Sequence, residues 1–127
     1  MKKLLMRVML PLSMVVVCAA ANADSRVLEV WTCELNDGES MDGVKSENVN
    51  WLKYVNKSVA GGDIQSYVVT PVVGAQGTFM YVDSFPSMAA WIAAKEAMTK
   101  EEGMAIEQAL NEFSTCESNT LHNSEQT

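Results

Sequence analysis

The chain has 127 residues, 9 basic and 16 acidic, for a formal charge of −7. So acidic a surface repels phosphate backbones and anionic lipid, which argues against nucleic-acid and membrane-surface partners. The length suits one domain around one core.

Residues 1–23 read as a secretory signal. Lys2, Lys3 and Arg7 make a basic start, Val8 to Ala20 an uncharged apolar stretch, and Ala21-Asn22-Ala23 a small-x-small cleavage pattern. The stretch is short for a membrane span, and no second apolar run follows. Cleavage after Ala23 would leave 127 − 23 = 104 residues. The signal holds three basic and no acidic residues, so the mature charge is −7 − 3 = −10. Periplasmic or secreted localisation is expected, with no membrane attachment after cleavage. Cys18 leaves with the signal; Val17 before it departs from the small residue that a lipid-attachment site needs.

The mature chain then holds Cys33 and Cys116. An even pair in an oxidising compartment reads first as a disulfide. The rival reading, two free thiols or a metal pair, lacks further ligands, and no metal site is expected.

Val27 to Cys33 is short, β-branched and aromatic, the composition of a strand. Ser40 can cap a helix from about Met41 to Val59, whose apolar positions Met41, Val44, Trp51, Leu52, Val55 and Val59 step by three and four. Gly61-Gly62-Asp63 ends it. Ile64 to Val73 is a second strand, with Pro71 tolerated if that strand is an edge. Gly74 to Gly77 turns the chain into a third strand, Thr78 to Phe85. Pro86 opens an alanine-rich helix with Met88, Trp91, Ile92 and Met98 expected on its buried side. Thr99-Lys100-Glu101-Glu102 resembles a capping box, so this helical region splits in two and restarts towards Phe113. Cys116 to His122 forms a last strand, and 123–127 a disordered tail.

The order is β-α-β-β-α-β, an α+β ferredoxin-like arrangement with a four-stranded antiparallel sheet over 24–122. There the end of the first strand meets the beginning of the last, which would bring Cys33 to Cys116. Both helices cover one sheet face, yet the strands are apolar on both sides. Val68 and Val72 oppose Tyr67, Val69 and Val73, and Phe79 and Tyr81 oppose Met80 and Val82. The uncovered face asks for a partner, and a second copy is the economical cover.

With these features the chain resembles the dimeric α/β-barrel superfamily, which includes antibiotic-biosynthesis-type monooxygenases, haem-degrading enzymes and stress-responsive barrel proteins. The likeness spans roughly Val27 to His122. The strand-to-helix passage from Tyr81 to Trp91 (YVDSFPSMAAW) is also similar to that superfamily's. The haem-degrading branch holds iron through a helical histidine, whereas His122 is the sole histidine and lies near the end. The resemblance therefore implies no haem and no other cofactor.

Five residues stand out as candidate ligand contacts. Asn48 falls within the apolar stripe of the first helix, where a buried amide must find partners or cost about 1–3 kcal/mol. It either meets a ligand or bonds the backbone or a buried water. Glu29 shares a face with Val27 and Trp31 on a central strand, either as a proton acceptor or as a dimer-interface carboxylate paired with a lysine or arginine such as Arg26. Trp31, Trp51 and Trp91 with Tyr67 and Tyr81 make an aromatic cage or an ordinary core. Met41, Met80, Met88, Met98 and Met104 lack the histidines and clustering of a copper site and read as packing. Asn48, Trp51, Glu29, Trp31 and Tyr81 thus point to a small apolar or aromatic ligand between helices and sheet. A cofactor-independent monooxygenase and a non-catalytic partner subunit are the alternatives.

Overall fold

The structure is a computed structural model and describes residues 25–127; the expected signal and Cys18 lie outside the described residues. Among the described residues seven elements follow one another: β1 (Ser25–Leu35), α1 (Met41–Ser58), β2 (Gln65–Val69), β3 (Thr78–Phe85), α2 (Met88–Met98), α3 (Glu101–Phe113) and β4 (Ser114–Glu125). The sheet order is β2-β3-β1-β4, and every neighbouring pair is antiparallel. This is the ferredoxin-like arrangement expected from the order of elements. Its second helical region is divided, as anticipated, into α2 and α3.

Local chemistry explains most boundaries. Ser40 accepts a hydrogen bond from the Gly43 N–H and caps α1. Ser87, one residue beyond Pro86, does the same for α2 through Ala90. The capping box expected at α3 does not form. Lys100 is the N-cap and has no side-chain cap bond, while Thr99 turns back to donate to the Glu96 carbonyl. Gly103 makes the α2–α3 turn possible because a Cβ there would lie 2.5 Å from the Ala97 oxygen.

β2 ends at Val69, before Pro71. Its expected extension to Val73 fails, and Val72 and Val73 stand 95% and 90% exposed. Pro71 therefore lies outside the edge strand it was expected to mark. At the other end β4 runs on to Glu125, which faces Ser25. Asn123, Ser124 and Glu125, expected in a loose tail, are paired with β1 instead. Backbone pairing holds β4, since nearly all its side chains are exposed. Polar side chains also suit this sheet edge, because they discourage pairing with a foreign strand.

Alternation divides the sheet's faces. Val27, Glu29 and Cys33 of β1, with Phe79, Tyr81, Asp83 and Phe85 of β3, are buried on the helix side. Val55, Ile64, Phe85, Ala90 and Ala94 anchor the larger core cluster, and Val44, Cys33, Phe79 and Tyr81 the smaller. Burying a side chain of the size of Phe85 contributes about 2–3 kcal/mol. α2 matches expectation in part, since Trp91 and Met98 pack against the larger core cluster. Its buried face consists of Ala90, Ala94 and Ala97, while Met88 and Ile92 are about half exposed. Small residues let this helix sit close to its neighbours, and Tyr54 reinforces the contact by donating to the Ala97 carbonyl at 2.7 Å.

Cys33 lies opposite Cys116, and the two form a disulfide between sequence positions 83 apart. The ladder passes from Thr32↔Ser118 to Cys33↔Cys116, which leaves Glu117 as the extra residue of a bulge. On the sheet's other face Leu28, Val30, Met80 and Val82 are only partly covered, and Tyr67 is 54% exposed.

Candidate functional site

A cavity of about 530 Å³ opens between the helices and the sheet. β1 contributes Glu29 and Trp31, β3 Tyr81 and Asp83, α1 Asn48 and Trp51, and α2 Trp91 and Lys95. All five residues expected to meet a ligand, Asn48, Trp51, Glu29, Trp31 and Tyr81, lie on this one wall system. They meet because strand alternation and the α1 stripe both aim inward. Tyr67, the other tyrosine of the expected cage, points to the open face and is exposed.

Glu29 is 1% exposed and has three donors. Lys95 Nζ lies 2.6 Å and Trp91 Nε1 3.1 Å from Oε2, and Asn119 Nδ2 lies 2.8 Å from Oε1. α2 and β4 are thereby tied to the central strand. The expected lysine or arginine partner is thus a lysine, Lys95, and not Arg26. Arg26 instead binds Asp63 at 2.9 Å and the Ser84 side chain. The Lys95 ammonium also lies over the Trp31 and Trp91 rings, 5.2 and 5.8 Å from their centroids.

Asp83 stands directly across the β1–β3 ladder from Glu29 and is 5% exposed. Burial pushes its pKa up from the ordinary 3.8 to about 7. The Ser66 hydrogen bond pulls it down, the Glu29 charge pushes it up, and the Lys95 charge pulls it down. Ser66 donates to Asp83 Oδ1 at 2.5 Å, and Asn48 Nδ2 donates to Ser66 Oγ at 2.9 Å. Asn48 thus does bond a polar neighbour, a side chain on β2, and it starts a chain that ends on a carboxylate in the cavity. Asp83 receives no other side-chain hydrogen bond among the described residues, so Oδ2 is left for whatever enters.

The Tyr81 hydroxyl is buried with no hydrogen-bond partner among the described residues. Burial raises its pKa; the Ser114 hydroxyl close by opposes the rise, and the Asp83 charge adds to it. A buried hydroxyl left without a partner costs about 1–3 kcal/mol.

Asp83, Ser66 and Lys95 escaped the sequence reading. Asp83 shares the period of two with Phe79, Tyr81 and Phe85, the same signal that singled out Glu29, and was legible in principle. Lys95 and Ser66 carry no such mark, because only packing decides which charge meets Glu29 and which hydroxyl meets Asp83. His122 pairs with Leu28, on the face away from the cavity. No group of three metal-binding side chains occurs among the described residues.

No protein-family model matches the sequence, and no curated protein matches it. Solved structures do match. SnoaB, a cofactor-independent oxygenase from Streptomyces nogalater, superposes with a TM-score of 0.59 at 14% identity, over 83% of this chain and 97% of that one. A candidate antibiotic biosynthesis monooxygenase from Caulobacter crescentus gives 0.55 at 10% identity, over 83% and 92%. An uncharacterized NIPSNAP domain protein from Burkholderia xenovorans gives 0.55 at 11% identity, over 80% and 94%. Identities so low speak for shape and not for chemistry. The chain therefore has the ferredoxin-like fold that the antibiotic-biosynthesis-monooxygenase and NIPSNAP types of protein share.

Proposed function

We propose that the protein is exported and binds a small molecule with an apolar or aromatic body in the cavity between helices and sheet. One observation carries this reading: three tryptophans, an unpartnered buried tyrosine hydroxyl and a carboxylate with a free oxygen converge on one space of about 530 Å³. A space that size suits a drug-sized ligand, and its lining follows the usual rule of apolar walls with a few polar groups. The Cys33–Cys116 disulfide is compatible with an oxidising compartment. The half-covered sheet face supports self-association through Val30, Val82 and Tyr67.

Native mass spectrometry of protein purified from the cell envelope tests the binding reading. A co-purifying small molecule that is lost with Trp51→Ala supports it. A mass equal to the bare chain, together with no response to an aromatic ligand panel, overturns it. Light scattering after size exclusion tests association: a dimer broken by Val82→Asp is expected. A monomeric wild type removes the dimer, and a complex with a foreign protein replaces it with a partner subunit.

A second reading has its own support in Asp83, poised near neutrality beside the cavity, and in the oxygenase fold of SnoaB. Asp83 would take a proton from an activated methylene of the substrate, and the resulting anion would reduce dioxygen. The methylene would become a carbonyl and the second oxygen atom would leave as water, with no cofactor. Oxygen uptake that depends on substrate and disappears in Asp83→Asn would establish it; unchanged uptake in that variant would reject Asp83 as the base.

A further inference from the structure

The charges around the cavity do not balance. Glu29, Asp83 and Glu107 line it against Lys95 as the one basic lining residue among those described. Lys95 is bound to Glu29 at 2.6 Å, so these two cancel. Asp83, buried, is left without a cation, and its Oδ2 is free. The groups around it are Glu29 on β1, Asn48 on α1, Ser66 on β2, Tyr81 on its own strand and Lys95 on α2. Ser66 satisfies one oxygen but brings no charge.

We infer that the cavity selects a protonated amine on an aromatic or apolar body, its ammonium hydrogen-bonded to Asp83 and its body among Trp31, Trp51 and Trp91. This rests on the ligand-binding reading above and names the ligand's charge. An anion would add a further negative charge to a lining that has no uncommitted cation. A neutral alcohol can donate to Asp83, but only a cation offsets the cost of an ionised carboxylate in a buried place. The indole faces accept cations as well. Lys95 already lies 5.2 Å from the Trp31 centroid, so the walls hold one ammonium without a ligand. The acidic mature chain draws cations towards it from a distance.

Three probes of one shape and different charge test the inference: naphthylmethylamine, naphthylmethanol and naphthoate, each titrated calorimetrically into the mature, disulfide-bonded protein. The amine is expected to bind about tenfold tighter than the alcohol, the ratio that a charge-assisted hydrogen bond supplies, and naphthoate weakest. Asp83→Asn should abolish the amine's tenfold advantage over the alcohol. The wild type offers an independent check should that variant fail to fold: the amine's advantage should grow as pH rises through about 7, where the amine itself stays charged. If the alcohol or naphthoate binds as well as the amine, the charge assignment is overturned and the cavity reading survives. If no probe binds, both fall.

Discussion

Replacing Asp83 by asparagine should stabilise the protein at neutral and alkaline pH and do nothing in acid. The carboxyl is 5% exposed and is raised from 3.8 to about 7 in the fold. A raised acid binds more protons folded than unfolded across that interval, so stability falls as pH climbs through it and levels off above. About three pH units at 1.36 kcal/mol each give an upper bound of about 4 kcal/mol for the cost of ionising Asp83 in place. Side-chain relaxation reduces this, and a gain of about 2 kcal/mol in the variant at pH 8 is the working figure. The amide oxygen introduced by Asp83→Asn can still accept from Ser66, so the comparison isolates the charge. Urea unfolding of both proteins from pH 4 to pH 8 measures the difference, with equal slopes required for a clean comparison. Curves that run parallel over the whole range would refute the buried, uncompensated carboxylate. Loss of stability in the variant at pH 8 would show Asp83 to be charged and well paired.

Lys95→Met should destabilise by about 3 kcal/mol, since it strips the cation from a carboxylate that is 1% exposed; the 37% exposure of the lysine keeps the figure at the low end. Adding Glu29→Gln to that variant should recover most of the loss, and a single variant as stable as wild type would deny the pair its structural role. Cys33→Ser with Cys116→Ser should cost about 4 kcal/mol in chemical denaturation, from reopening a loop between positions 83 apart, and wild type under strong reductant should match it. Gly103→Ala should cost about 2 kcal/mol in spite of alanine's better helix propensity, because its Cβ would lie 2.6 Å from the Met98 Cα as well as against the Ala97 oxygen. A melting temperature equal to wild type would mean that the turn gives way.

Strand and helix order was legible because period and punctuation are local. Trp51 and Val55 recur at helical spacing, Phe79, Tyr81, Asp83 and Phe85 at strand spacing, and Ser40 marks a start. The topology that follows from the order places Cys33 beside Cys116 with no further information. The ends of β2 and β4 depart from composition for a related reason. Val72 and Val73 have strand propensity but no neighbour to pair with, while the polar run Asn123-Ser124-Glu125 lacks propensity and is held by β1. Pairing overrides composition at a sheet edge.

Five cavity residues could be named from the chain alone, since each is a polar or aromatic group on a face whose inward direction is set by periodicity. What they touch was decided elsewhere. Glu29 bonds Lys95 and not Arg26, Asn48 reaches Asp83 through Ser66, and alanines of α2 are buried where Met88 and Ile92 were expected. Local rules state which way a side chain points, but partners arrive from elements tens of residues away. Only the packed distance between those elements fixes which charge is answered, and which, at Asp83, is left open.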